Sequence, residues 1–312
     1  MIKKIAKSIR LKNIMFIAII QLVTRYFIIK PVLQAKGLNF LLSDFYFIIL
    51  VLSTMLIASA GYLINDYFDY EHDIEFNKRT KENLPSKNLL FTLYIVFNIL
   101  AFTLAFWVSL ACGMYKISFI ALIVAGLLWF YSSNYKKSFL IGNLIVAIVS
   151  GLVPIIIMIF ELYLQYSTNK KYLITVGQNL HEIRNWVLVF SILSFWFTLI
   201  REIVKDAEDY DADLAYNYNT IPLILGKKIT KIIVFVLTII GIIAVSIAAL
   251  VFLQFYSLAY VFLLIIVPLI YFNLKLLKSS EKEQFNFLSN FLKLIMFAAI
   301  MYPIFFNILN LK

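Results

Sequence analysis

Apolar residues run along this chain in blocks of about twenty, the length that crosses a bilayer as a helix, and short polar stretches separate them. The blocks predict nine spans at roughly 13–34, 41–64, 89–111, 116–133, 139–163, 185–204, 230–252, 256–277 and 287–309. The expected fold is therefore all-α, a polytopic membrane helical bundle. Pro154, Pro268 and Pro303 fall inside spans and are expected to kink them. Ser59-Ala60-Gly61 in the second span would allow close helix packing. The polar stretch 167–184 has room for a short interfacial helix.

Composition agrees: 62% of the 312 residues are hydrophobic and mean hydropathy is +0.90. A single cysteine, Cys112, excludes an intramolecular disulfide and reads as a packed thiol. No cleavable signal peptide is evident, because Lys3, Lys4, Lys7, Arg10 and Lys12 lead straight into a full-length span. The net charge of +11 points to membrane orientation and anionic lipid rather than to nucleic acid. With the N-terminus in the cytoplasm, nineteen Lys and Arg flank spans on that side, against seven outside. That asymmetry predicts an N-in, C-out topology in a cytoplasmic membrane. Arg25 in the first span is a functional candidate or a snorkelling cation. Glu161, near the far end of the fifth, is expected at the interface, and His181 is expected to be exposed.

Negative charge is distributed quite differently. Of seventeen Asp and Glu, twelve fall between 66 and 82 or between 202 and 213. The first cluster reads N-D-Y-F-D-Y-E-H-D from Asn65, and the second K-D-A-E-D-Y-D-A-D from Lys205. At an offset of 140 residues, Asp66, Asp69 and Asp73 align with Asp206, Asp209 and Asp213, and Tyr70, Asn77 and Thr80 with Tyr210, Asn217 and Thr220. Spacing of i, i+3 and i+7 puts three carboxylates within about 60° on one helix face. Like charges there repel unless a cation offsets them. Oxygen-only ligands suit Mg²⁺, which takes one or two carboxylates and completes its shell with water and substrate phosphate. The repeat thus predicts two Mg²⁺ sites serving one phosphorylated substrate. With one motif after span two and the other after span six, a four-helix unit is used twice, at about 1–138 and 139–286. The ninth span, 287–309, completes a single domain over 1–312. On the same side, Arg79 and Lys81 follow the first motif, Tyr131 and Lys136 close the fourth span, and Lys205 stands where the first motif has Asn65. These are candidates to hold diphosphate oxygens. His72 has no partner at zinc spacing, and no phosphate-loop, dinucleotide or nucleophile-elbow motif is present.

This arrangement resembles the UbiA superfamily of intramembrane prenyltransferases. The resemblance rests on nine spans, N-D-x-x-D-x-x-x-D after the second, a Tyr/Lys element after the fourth and D-x-x-D-x-x-x-D after the sixth. It implies prenyl transfer from an allylic prenyl diphosphate donor to a lipophilic acceptor. It further implies that Asn65, Asp66, Asp69, Asp73, Asp206, Asp209 and Asp213 correspond to the Mg²⁺–diphosphate site. Two departures stand out: Lys136 follows Tyr131 by five residues where the family usually has four, and the proline of the family's Asn-Arg-Pro is missing after Asn77. R-E-I-V-K-D-A-E-D (201–209), T-I-P-L (220–223) and G-N-L (142–144) look most like the branch that makes di-prenylated glyceryl phosphate lipids. Aromatic prenylation is the alternative, and an ion-coupled transporter a remote one. The D-G-x-x-A-R signature of CDP-alcohol phosphatidyltransferases is absent. Membrane lipid is the implied surrounding, with no nucleic acid and no obligate protein partner.

Overall fold

The computed structural model describes residues 1–75, 84–175, 179–252 and 255–310. A short α1 (Ile2–Ser8) precedes α2 (Leu11–Val23), which passes through a π-helical stretch, Thr24–Ile29, into α3 (Lys30–Ala35). Next come α4 (Asp44–Phe68), the short α5 (Tyr70–Glu75), α6 (Lys87–Ala111) and α7 (Phe119–Ser133). Then follow α8 (Ile141–Thr168), α9 (Lys170–Thr175), α10 (His181–Glu208) and α11 (Tyr210–Ala215). The chain finishes with α12 (Ile221–Phe252), α13 (Phe255–Val261), a second π-helical stretch (Phe262–Ile266), α14 (Val267–Lys278) and α15 (Lys282–Asn310). Among the described residues there is no strand, and nine helical stretches are long and apolar enough to cross a membrane. The short α9 lies in the polar stretch 167–184, and His181 is exposed.

Local chemistry explains the ends. Ser43 and Ser86 cap α4 and α6, each hydroxyl accepting from a backbone N–H one turn in, at 3.3 and 3.4 Å. Each π-helical stretch ends just before a proline, Pro31 or Pro268. A widened turn accommodates a ring that lacks an N–H and clashes with the carbonyl four residues back. Several boundaries differ from the hydropathy reading by four residues or more, and three of them bear on the site and the backbone. The helices α4 and α10 run on to Phe68 and Glu208, so each acidic motif begins inside a membrane helix. The seventh span starts at Ile221 rather than near 230, and it is two helices joined across a kink at Gly226 (φ 81°, ψ 154°).

The chain forms two compact units, one of Met1–Tyr135 with Leu152–Ser191 and the other of Lys136–Gly151 with Ile192–Lys312. In the first, Ile28, Leu33, Leu42, Phe47, Phe160 and Ile183 belong to one buried cluster. Gly61 brings α4 against α7, and a Cβ there would meet Leu128 at 2.8 Å. Ser53 donates from α4 to the Ala101 carbonyl of α6 at 2.7 Å.

Arg25 and Glu161 are both buried, at 1% exposure, and both serve the turn between the first two spans. Arg25 donates to the Leu42 carbonyl at 2.7 Å and pairs with Asp44 at 2.8 Å, its guanidinium lying over the rings of Phe40 and Phe47. Glu161 accepts from the N–H groups of Leu41 and Leu42 at 2.9 and 3.2 Å, and Gln165 donates to the Asn39 carbonyl at 2.6 Å. These side chains replace the hydrogen bonds that a non-helical backbone cannot make to itself. Glu161, expected near the interface, thus holds a turn between spans, and Arg25, a functional or snorkelling candidate by sequence, has a structural partner set there.

In the second unit, Ile200, Ile203, Leu269, Phe272 and Leu292 are part of a separate buried cluster. Trp196 donates to the Leu237 carbonyl at 3.0 Å, opposite Gly241, which leaves room for the indole. Lys231 donates to the Leu277 and Ser279 carbonyls at 3.0 and 2.9 Å and so closes the C-terminus of α14.

Candidate active site

The two acidic motifs have the same backbone. The helix α4 ends at Phe68, Asp69 sits at φ −86° and ψ 2°, and α5 resumes at Tyr70. The helix α10 ends at Glu208, Asp209 sits at φ −87° and ψ 5°, and α11 resumes at Tyr210. In both, the N–H of the middle aspartate still reaches the carbonyl four residues back, Asn65 or Lys205, at 2.9 Å. The expectation of three carboxylates on one unbroken helix is therefore corrected. Each triplet spans a helix end, a single non-helical residue and the first turns of a short helix. Crowded carboxylates disfavour a continuous helix, and the break falls on the middle one each time.

In the first unit, Asn65, Asp66 and Asp69 are buried. The Asn65 amide donates to Asp69 Oδ2 at 2.9 Å, one turn along, and orients that carboxylate. The side chain of Asp73 and all of Arg79 and Lys81, with Asn77 and Lys78, lie outside the described residues. A cation that the sequence reading counted only toward orientation takes a prominent place. Arg10, between α1 and α2, has its Nη2 3.7 Å from Asp66 Oδ1 and its guanidinium 4.7 Å above the Tyr62 ring. Asn13 donates to the Tyr62 hydroxyl at 3.1 Å and steadies that ring. Arg10 is held at φ 52°, a left-handed conformation that costs an ordinary residue about 1–2 kcal/mol. Burial opposes its charge, but Tyr62, Asp66, Tyr131 and Asp69 together outweigh burial and raise the guanidinium pKa above its ordinary value. The half-buried Tyr131 of α7 thus acts on the same cation as Asp66 and Asp69.

In the second unit, Asp213 is buried while Lys205, Asp206 and Asp209 are half-buried. Asn143, in the first turn of α8, donates to Asp206 Oδ2 at 2.8 Å, the counterpart of Asn65 acting on Asp69. The ammonium of Lys205 is 3.4 Å from Glu202, whose other oxygen pairs with Arg201 at 2.6 Å. Lys136 is half-buried in the short 3₁₀ turn Tyr135–Lys137. Its neighbour Lys137 lies over the Tyr218 ring and accepts from the Asn219 N–H at 2.8 Å through its carbonyl, tying that turn to the segment after α11. Lys227 covers the Tyr210 ring at 4.4 Å.

Among the described residues no three His, Cys, Asp or Glu side chains form a ready metal-ligand cluster. Carboxylates steadied by amides, as Asp69 and Asp206 are, nevertheless fit Mg²⁺, which needs one or two of them and takes its other oxygens from water and phosphate. Sequence reasoning missed Arg10, Asn143 and Glu202. For Asn143 the G-N-L segment was a signal, though it carried no role. For Glu202 the signal was its place one helical turn before Asp206, and for Arg10 none was strong enough to separate it from neighbouring lysines.

The family model of UbiA prenyltransferases matches residues 32–301. The chain belongs to the UbiA prenyltransferase family. Digeranylgeranylglyceryl phosphate synthase of Sulfolobus acidocaldarius is 34% identical over 189 residues, covering 61% of this chain and 60% of the relative. The chain thus matches about three-fifths of that relative's length. The synthase of Methanobrevibacter smithii is 30% identical over 262 residues, 80% of this chain and 83% of the relative. The fold is similar to a UbiA homologue from Aeropyrum pernix K1, with a TM-score of 0.64 at 15% identity over 95% of this chain and 98% of the other. A structure from work on digeranylgeranylglyceryl phosphate synthase in membranes gives 0.65 at 22% identity over 97% of each chain. Arg10 precedes the stretch that the UbiA family model matches.

Proposed function

We propose that this protein transfers a prenyl group from an allylic prenyl diphosphate to the free hydroxyl of a prenylglyceryl phosphate, with Mg²⁺ bound at its acidic motifs. UbiA membership supports the reaction class, the named relatives support the acceptor, and the observation that carries the donor site is the pair of identically bent acidic helix ends. In the transfer the donor's C–O bond to diphosphate breaks, a new C–O bond to the acceptor forms, and the acceptor hydroxyl's proton passes to the released diphosphate. Asp66, Asp69 and Asp73 would hold Mg²⁺ in one motif, and Asp206, Asp209 and Asp213 in the other. Bound Mg²⁺ neutralises charge that grows on the departing diphosphate.

The chain's own groups prepare that step. Asn65 and Asn143 hold Asp69 and Asp206 in fixed orientation, so the carboxylates need little rearrangement when a ligand arrives. Lys205, Lys136 and Tyr131 are the described groups assigned to phosphate oxygens, with Arg79 and Lys81 assigned by sequence.

The deciding experiment offers purified protein one labelled prenyl diphosphate and two competing acceptors, prenylglyceryl phosphate and 4-hydroxybenzoate, and identifies products by mass spectrometry. Transfer to the glyceryl phosphate is expected. Transfer only to the aromatic acid would overturn the acceptor while leaving the reaction class intact.

A further inference from the structure

We propose that Arg10 is an exchangeable counter-ion of the first acidic motif, neutralising Asp66 while the motif is empty and passing to the donor's diphosphate when donor and divalent cation bind. This inference rests on the Mg²⁺–diphosphate reading above and adds an order of events to it. Three observations carry it.

The first is the separation. At 3.7 Å, Arg10 Nη2 and Asp66 Oδ1 are farther apart than a charge-assisted hydrogen bond of about 2.7–2.9 Å. The pair is held by Coulomb attraction without a directional bond, and it parts readily. The second is the mounting. The guanidinium lies on Tyr62, Tyr62 is held by Asn13, and the backbone at Arg10 takes a left-handed turn at φ 52°. Strain at the very residue that reaches the motif is the kind of outlier that marks a functional position. This support stays in place when Asp66 is taken by another ligand, so Arg10 remains close to whatever replaces it. The third is the balance of charge. Asp66 is 1% exposed, and a buried carboxylate is costly unless positive charge lies close to it. A divalent ion arriving alone would meet the Arg10 charge beside its ligand. When it arrives with a diphosphate, that charge gains a stronger anion with several oxygens. The side chain of Arg10, 32% exposed, is free enough to follow.

The consequence is that metal and donor bind with positive coupling, and by linkage each strengthens the other equally. The test uses full-length protein in detergent, Mn²⁺ as a spectroscopic stand-in that takes the same oxygen ligands as Mg²⁺, and an unreactive prenyl thiolodiphosphate. Free Mn²⁺ is followed by electron paramagnetic resonance with and without the analogue. Arg10→Gln should bind Mn²⁺ alone about three- to fivefold tighter than wild type, the scale of a partly exposed ion pair. It should bind the analogue more weakly and lose most of the coupling. Arg10→Lys, which keeps the charge, should bind Mn²⁺ alone as weakly as wild type. Tightening in both variants, or in neither, overturns the exchange. Asp66→Ala separates the two levels. If it abolishes Mn²⁺ binding while Arg10→Gln leaves it unchanged, the exchange fails and the metal site stands. If Asp66→Ala binds Mn²⁺ as wild type does, the metal site fails and the exchange with it.

Discussion

The aspartates that open the two motifs, Asp66 and Asp206, are held differently: one lies beside an arginine and the other accepts from an asparagine amide. Asp66→Ala and Asp206→Ala should each lower the transfer rate on the order of 10²-fold, the effect of losing about 3 kcal/mol of charge stabilisation. If both motifs serve one donor, the double variant should be little slower than either single one, because groups acting as a unit are not additive. Product formation measured against Mg²⁺ concentration decides this, and near-normal activity in either single variant at low Mg²⁺ would count against a shared role. A second residue-scale expectation concerns Cys112. Burial pushes its thiol pKa up, and the charge of Glu161 adds to the rise. Thiolate is therefore scarce at neutral pH, and alkylation by iodoacetamide should accelerate only as pH climbs past the ordinary thiol range. Glu161→Gln should make Cys112 react faster at any pH in that window. An equal or slower rate would show that the carboxylate does not act on the thiol.

Gly226 shows what a single backbone angle does to an element. It joins Ile221–Leu225 to the long remainder of α12 in a conformation that L side chains avoid, although no atom stands within 4 Å of where a Cβ would be. Gly226→Ala should therefore destabilise the protein by about 1–3 kcal/mol through strain alone, which thermal unfolding in detergent would register. An unchanged midpoint would mean that the backbone there relaxes. The same residue illustrates how legible the fold was. Hydropathy found every span, because a bilayer demands apolar length and little else imitates it. It misplaced the start of the seventh, because Gly226-Lys227-Lys228 reads as the end of a loop, while the chain is helical on both sides of the glycine. The motifs were legible as a repeat, but their bend was not, since helix propensity does not distinguish Phe68-Asp69-Tyr70 from a continuing turn. The roles of Arg25 and Glu161 were hidden for another reason. Both hold backbone atoms of a turn, in Glu161's case 120 residues away, and no side-chain pattern announces such partners.

For the molecule as a whole, the Lys and Arg asymmetry supports an N-terminus and both acidic motifs on the cytoplasmic face. Labelling of single cysteines in a Cys112→Ser background tests this. Reagents confined to the outside should reach a cysteine at Thr168 and miss one at Ser86, and the opposite pattern would invert the topology. The match to the UbiA family over residues 32–301 leaves the first thirty-one residues outside it, and they hold both Arg10 and Arg25. Constructive use of such topology experiments depends on where a reporter is inserted. By composition the turn at Gly37-Leu38-Asn39 invites one, being short, partly polar and between two spans. Yet Gln165 grips the Asn39 carbonyl, and Glu161 and Arg25 grip the Leu41 and Leu42 backbone just after it, as a receptor grips a peptide. An epitope placed there would unseat two buried charges at once, so the safer insertion point on that face is the exposed Lys170-Lys171 pair at the start of α9.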